Sequence, residues 1–75
     1  MNITLPQLKQ GDVDKPQNRM VHRLQGLVSA LGNPVALDGN FGPNTEAAVK
    51  DQQRAFKLPV TGIVDDNTWM KLIEG

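Results

Sequence analysis

The eight residues Asp38-Gly39-Asn40-Phe41-Gly42-Pro43-Asn44-Thr45 occur twice in outline. Displaced by 23 positions they fall on Thr61-Gly62-Ile63-Val64-Asp65-Asp66-Asn67-Thr68. Gly39 then matches Gly62, Asn44 matches Asn67, Thr45 matches Thr68, and Phe41 matches Val64 as an apolar side chain. One helical turn after the threonines, Val49 matches Leu72. Any fold this chain adopts must therefore accommodate the same local structure at two places.

Each copy reads as a sharp bend followed by a helix start. Glycine at 39 and 62 supplies a backbone conformation that other residues reach only with strain. An apolar residue follows two positions later, and then a capping position. In the first copy Gly42 caps and Pro43 takes the first helical position, where its missing N–H has no intrahelical partner to lose. In the second copy Asp65 caps: its carboxylate accepts from first-turn amides and sits favourably against the helix dipole. Val64 before that cap and Trp69 four residues on form a hydrophobic staple that sets the entry angle.

Around these copies the periodicity predicts an all-α domain of three helices. Met20, Val21, Leu24, Leu27, Val28 and Leu31 recur at the spacing of one helical face, with His22, Arg23, Gln25 and Ser29 on the other. Asp14 or Asn18 is placed to cap this first helix, and Gly32 ends it. The second helix runs from about Pro43 to Phe56, with Ala48, Val49, Ala55 and Phe56 inward. Gln52 lies on the same stripe, and the expectation is that it turns to the edge while Phe56 fills the space. The third helix, Asp66 to about Glu74, offers Trp69, Leu72 and Ile73 to the core. Val35-Ala36-Leu37 and Leu58-Pro59-Val60 are two short extended runs, each feeding one bend. Residues 1–7 read as a tail or linker end and 8–75 as the domain, with Leu8 its first anchored side chain.

Composition narrows the function classes. Seventy-five residues make one domain near the lower size at which a single core holds a fold unaided. With no cysteine, neither disulfides nor thiolate metal sites are available, and packing must suffice. Eight acidic and eight basic residues cancel, which argues against a strongly steered nucleic-acid binder and for a neutral or zwitterionic partner. No stretch is long enough to span a membrane, and the first six residues lack the basic and apolar regions of a signal peptide. No catalytic constellation is present, and the sole histidine, His22, reads as a solvated helix residue. Asp38-Gly39-Asn40 opens like a calcium loop, yet Gly42 stands at the fifth ligand position and Val49 where the closing glutamate belongs. No cofactor or metal is expected.

The motifs themselves resemble a known family, the small peptidoglycan-binding domains appended to bacterial and phage cell-wall hydrolases. Its loose pattern, L-x-x-G-D, V-x-x-L-Q, D-G-x-F-G-P-x-T-x-x-A-V-x-x-F-Q and G-L-x-V-D-G-x-V-G-x-x-T-W-x-x-L, is met by four groups of residues. They are Leu8, Gly11 and Asp12; Val21, Leu24 and Gln25; Asp38, Gly39, Phe41, Gly42, Pro43, Thr45, Ala48, Val49 and Gln53; and Leu58, Val60, Gly62, Val64, Thr68, Trp69 and Leu72. The chain departs from it at Gln52, where the pattern has Phe, at Lys57 and Asp65, where it has Gly, and at Thr61, where it has Asp. Residues 14–20 are longer than usual.

The resemblance implies a non-catalytic module that binds peptidoglycan, its glycan strands and stem peptides, and anchors a tethered hydrolase domain to its polymer. It also implies a monomer working outside the cell, in the wall or periplasm, reached through another domain's signal or by phage-mediated release. Candidate ligand-binding residues are Asp38, Asn40 and Asn44 in the first bend, with Arg23 and Gln25 on the polar face of the first helix. Asp38 and Gln25 serve equally well as structural groups, since polar residues in turns often hold the fold. Gly39, Phe41, Gly42, Pro43, Thr45, Gly62, Thr68 and Trp69 form the structural motif, and Trp69 reads as core before sugar platform. The alternative is a protein-interaction or regulatory module of the same three-helix architecture, which resembles the propeptide region of matrix metalloproteases without its cysteine.

Overall fold

A computed structural model describes residues 7–16 and 19–74 of the chain. Three helices follow in order, α1 (Met20–Ala30), α2 (Pro43–Ala55) and α3 (Asp66–Glu74), and α1 packs against both of the others. Among the described residues there is no strand, and the expected extended runs at 35–37 and 58–60 form no β-bridge. Isolated antiparallel bridges instead join Leu8 to Val64 and Val13 to Asn40. The segment before α1 thus pins both bends from outside, with Leu8 N–H donating to Val64 O at 3.1 Å and Phe41 N–H to Asp12 O at 2.8 Å. The expected tail lies outside the described residues except for Gln7, which is exposed.

Helix ends form where the local chemistry places them. Gly42 is the N-cap of α2 with Pro43 in the first turn, and Asp65 Oδ1 accepts the Thr68 N–H at 2.9 Å to cap α3. At α1 the N-cap position itself falls to Arg19, without a side-chain cap. Asp14 does that work from a distance, its carboxylate accepting from Val21 N–H at 2.9 Å and His22 N–H at 3.2 Å. The competing cap, Asn18, lies outside the described residues. α1 and α2 end alike, in paired bonds of the Schellman type: Gly32 and Asn33 donate to Ser29 O and Val28 O, Lys57 and Leu58 to Arg54 O and Gln53 O. The residue after each cap must take positive φ. Gly32 does so at +105°, but Lys57 is held at +60° with a side chain attached.

The core is Leu8, Val21, Leu24, Val28, Phe41, Ala48, Val49, Val64, Trp69 and Leu72, with Met20, Leu27, Leu31, Val35 and Phe56 packed against it. Both staple residues, Val64 and Trp69, are fully buried. Three expectations are corrected. Ala55 is exposed, because the buried stripe through Thr45, Ala48, Val49, Gln52 and Gln53 is centred well away from it. Ile73 is 63% exposed, since Thr68, Trp69 and Leu72 define a narrow inner face about a quarter turn away from it. Gln52 does not turn to the edge: it is buried, and its Oε1 accepts from Asn33 Nδ2 at 2.6 Å. The α1 C-terminal turn supplies the partner that a buried amide requires.

Candidate functional site

Each bend is held by a buried glutamine on the preceding helix. Gln25 of α1, 0% exposed, accepts the Gly39 N–H on Oε1 at 3.0 Å. Its Nε2 reaches Asp38 Oδ1 at 3.0 Å, the Asn40 carbonyl at 3.0 Å and Thr45 Oγ1 at 3.1 Å. Gln53 of α2 repeats the arrangement at the second bend. Oε1 accepts from Thr61 N–H and Gly62 N–H, both at 3.0 Å, while Nε2 reaches Thr61 Oγ1 at 3.3 Å, Ile63 O at 2.9 Å and Thr68 Oγ1 at 3.1 Å. One amide thus meets the bend's N–H, its carbonyl and the helix-start threonine together. Gly39 and Gly62 stand at φ +76° and +79°, as the bend requires.

In the first bend Asp38 also folds back on its own turn, accepting Asn40 N–H on Oδ1 at 2.9 Å. The Asn40 amide, and after it the Gln25 side chain, hold the Asp38 carboxyl below the ordinary carboxylate range. Asp14 clamps the bend to α1, its own N–H donating to Gly39 O at 2.8 Å while its carboxylate caps the helix.

Outside this bend the surface is concave. A hollow of about 210 Å³ is lined by Ala36, Asp38, Asn40 and the start of α2, Gly42 to Thr45. It shares Ala36 and Asn44 with a larger hollow of about 560 Å³ between residues 33–36 and α2, which Ala47, Ala48 and Asp51 also line. Asn44, Ala47, Ala48 and Asp51 fall on one face of α2, so the two hollows form a single groove along it. No group of three or more His, Cys, Asp or Glu is found among the described residues.

The five candidate residues divide accordingly. Asp38, Asn40 and Asn44 are exposed and line the groove together. Arg23 is exposed on α1 and lines neither hollow. Gln25 takes the structural of its two expected roles: it is buried, and both ends of its amide are occupied inside the protein, where it holds the loop beside the groove. Asn33, Asp51 and the Ala36, Ala47 and Ala48 floor were missed by sequence reasoning, as was the role of Gln53.

The sequence profile described as "Putative peptidoglycan binding domain" matches residues 17–72. The chain belongs to this peptidoglycan-binding family. Solved structures share the fold. The SleB N-terminal domain superposes with a TM-score of 0.81 at 27% identity, over 92% of this chain and 90% of that one. The Burkholderia AP3 phage endolysin gives 0.82 at 30% identity, over 89% of this chain but 24% of its own. A fused Zn-dependent amidase/peptidase/peptidoglycan-binding domain-containing protein from Clostridium acetobutylicum gives 0.81 at 30%, over 89% and 28%. The chain therefore spans only about a quarter of those two longer proteins. A search of curated proteins finds no match.

Proposed function

We propose that this domain binds peptidoglycan without cleaving it and holds a linked cell-wall hydrolase on its insoluble substrate. Family membership supports the polymer, and the two longer relatives support the linkage, since in them the same domain accompanies an endolysin or an amidase/peptidase. The observation that carries the reading is the groove: it lies against the bend that carries the family's motif, open to solvent and edged by hydrogen-bonding side chains. Its contacts are those of Asp38, Asn40 and Asn44, presented by a loop that the buried Gln25 amide keeps in one conformation. A weak module suffices, because tethering replaces a bimolecular search by an effective local concentration that reaches about millimolar for short linkers. The domain acts as a monomer outside the cell, in contact with the wall. Its resemblance to a regulatory propeptide finds no support among its relatives.

Co-sedimentation with purified sacculi tests this. The domain is expected to pellet with sacculi while releasing no soluble fragments. Asn40→Ala and Asn44→Ala should each weaken pelleting and leave the melting temperature within a few degrees, since exposed substitutions change stability by about 0.5 kcal/mol or less. Arg23→Ala should behave like the parent. Protein that remains in the supernatant with sacculi of every stem-peptide type would overturn the proposal.

A further inference from the structure

The groove carries charge of one sign. Among the residues lining its two hollows the charged ones are Asp38 and Asp51, and none is Lys, Arg or His. The whole chain is neutral, so this is a local choice of face and not a reflection of composition. A ligand carboxylate entering here would meet two carboxylates, with Arg54 outside the lining and paired to Asp51, whereas an ammonium would be attracted at both ends.

Dimensions and lining narrow the ligand further. Asp51 lies seven residues after Asn44, roughly 10 Å along α2 at ~1.5 Å per residue. At ~3.3 Å per residue of extended chain, that length holds about three residues of a peptide. The floor of Ala36, Ala47 and Ala48, with Pro34 and Val35 beside it, suits methyl groups. Asn33, Asn40 and Asn44 offer amide groups along the edges. A sugar ring would find no aromatic platform: Trp69 and Phe41 are buried in the core, and Phe56 lines neither hollow.

Asp51 can serve as the anchor. Arg54 holds its Oδ1 at 2.9 Å, but both side chains are more than half exposed, and exposed pairs of this kind are worth little. An incoming ammonium can share or replace that contact. Asp38 is already committed, its Oδ1 accepting from Gln25 and from the Asn40 amide, and it acts at the other end by repelling anions.

Resting on the wall-binding reading above, we propose that the groove takes about three residues of the stem peptide. It anchors the free side-chain ammonium of a diamino acid on Asp51, with alanine methyl groups against the Ala36, Ala47 and Ala48 floor. It selects the amine-bearing part of the polymer over its carboxylates and its sugars.

The test uses sacculi in three forms: untreated, N-acetylated with acetic anhydride to neutralise free amines, and amidated at their carboxylates. Acetylation should weaken co-sedimentation about tenfold or more, the loss of one charge-assisted hydrogen bond, while amidation should leave it unchanged or tighter. Asp51→Asn, an exposed change whose folding circular dichroism can verify, should bind untreated sacculi about as weakly as the parent binds acetylated ones. It should lose nothing further on acetylation. Equal binding to untreated and acetylated sacculi overturns this inference and leaves wall binding standing, as does loss of binding on amidation. Failure to pellet with any of the three overturns wall binding itself, and this inference with it.

Discussion

Gln25→Leu and Gln53→Leu test whether the two buried amides hold the fold. At the first bend the change strands the Gly39 N–H and the Thr45 hydroxyl, both buried. A buried polar group without a partner costs about 1–3 kcal/mol, so the pair amounts to about 2–6 kcal/mol. A domain of this size has a total stability of about 4–11 kcal/mol at the usual ~0.05–0.15 kcal/mol per residue. The melting temperature should therefore drop roughly 12–24 °C for a loss of ~3 kcal/mol. Gln53→Leu strands the Gly62 N–H and the Thr68 hydroxyl and should cost a similar amount. Thermal melts followed by circular dichroism measure both, and a variant of either that melts within a few degrees of the parent would refute the reasoning.

The same two sites with glutamate separate hydrogen bonding from mere volume. Gln25→Glu keeps the acceptor for Gly39 N–H but puts a carboxylate oxygen where Nε2 stood, 3.0 Å from Asp38 Oδ1. At the second site the corresponding neighbour is the Thr61 hydroxyl, which can turn its proton towards a carboxylate. Gln25→Glu should thus be the more damaging change at neutral pH. Asp38 raises the pKa of the introduced carboxyl in the folded state, so folding favours its protonated form. Stability is then highest below the ordinary Glu value and is lost as pH rises through the raised one. The parent's Asp38 is the opposite case. Its lowered pKa gives stability that is present above the ordinary Asp value and lost as pH falls through the folded one. Burial raises the introduced carboxyl at both sites, so urea midpoints between about pH 4 and pH 7 should fall with rising pH for both variants, and more steeply for Gln25→Glu. Matching profiles for the two variants would show that Asp38 is not the cause.

Lys57→Gly should stabilise the domain by about 0.5–1 kcal/mol, read from the denaturant midpoint, because φ +60° is strained for a residue with a Cβ. Gly39→Ala and Gly62→Ala should each cost about 1 kcal/mol or more for the same reason in reverse. Gly39 should suffer more: its added Cβ would lie 2.9 Å from Asp14 Oδ2, in the carboxylate that caps α1, whereas at Gly62 it meets the pliable Glu46 and Lys50 chains at 3.0 Å. Trp69→Ala should cost about 3–5 kcal/mol and largely unfold the domain; a folded variant that loses only wall binding would make the ring a ligand platform instead.

What could be read in the sequence was what is local. Glycines at the bends, Pro43 after Gly42 and Asp65 before α3 act within a few residues of themselves, so their roles are carried by neighbouring letters. Gln25 was placed on the solvent face because helical periodicity assigns a polar residue there, and the partners that justify its burial lie 13 to 20 residues away. A signal existed: a glutamine precedes each copy of the motif. It stands 14 residues before Gly39 and 9 before Gly62, so a scan at a fixed 23-residue period misses the pairing. Gln52 required a partner on physical grounds, but naming Asn33 required the α1 turn. The groove was half legible: Asn40 and Asn44 belong to the motif, while Asn33 and Asp51 come from segments that only the fold sets side by side.

The two copies share a skeleton and differ in what they present to solvent. At the second, Asp65 closes its own helix start by accepting Thr68 N–H, Ile63 stands where Asn40 stands in the first, and Thr61 replaces Asp38. At the first, the cap is a glycine with no side chain to fold back. The bend instead turns Asn40, Asn44 and Asp38 towards a groove that α2 continues to Asp51. The loop is held from within, because Gln25 satisfies its buried N–H and its carbonyl. In the proposed wall-binding role, that division of labour lets a neutral domain of 75 residues keep a polar edge without giving up core, since preorganised contacts spare the ordering cost that flexible side chains would add on binding.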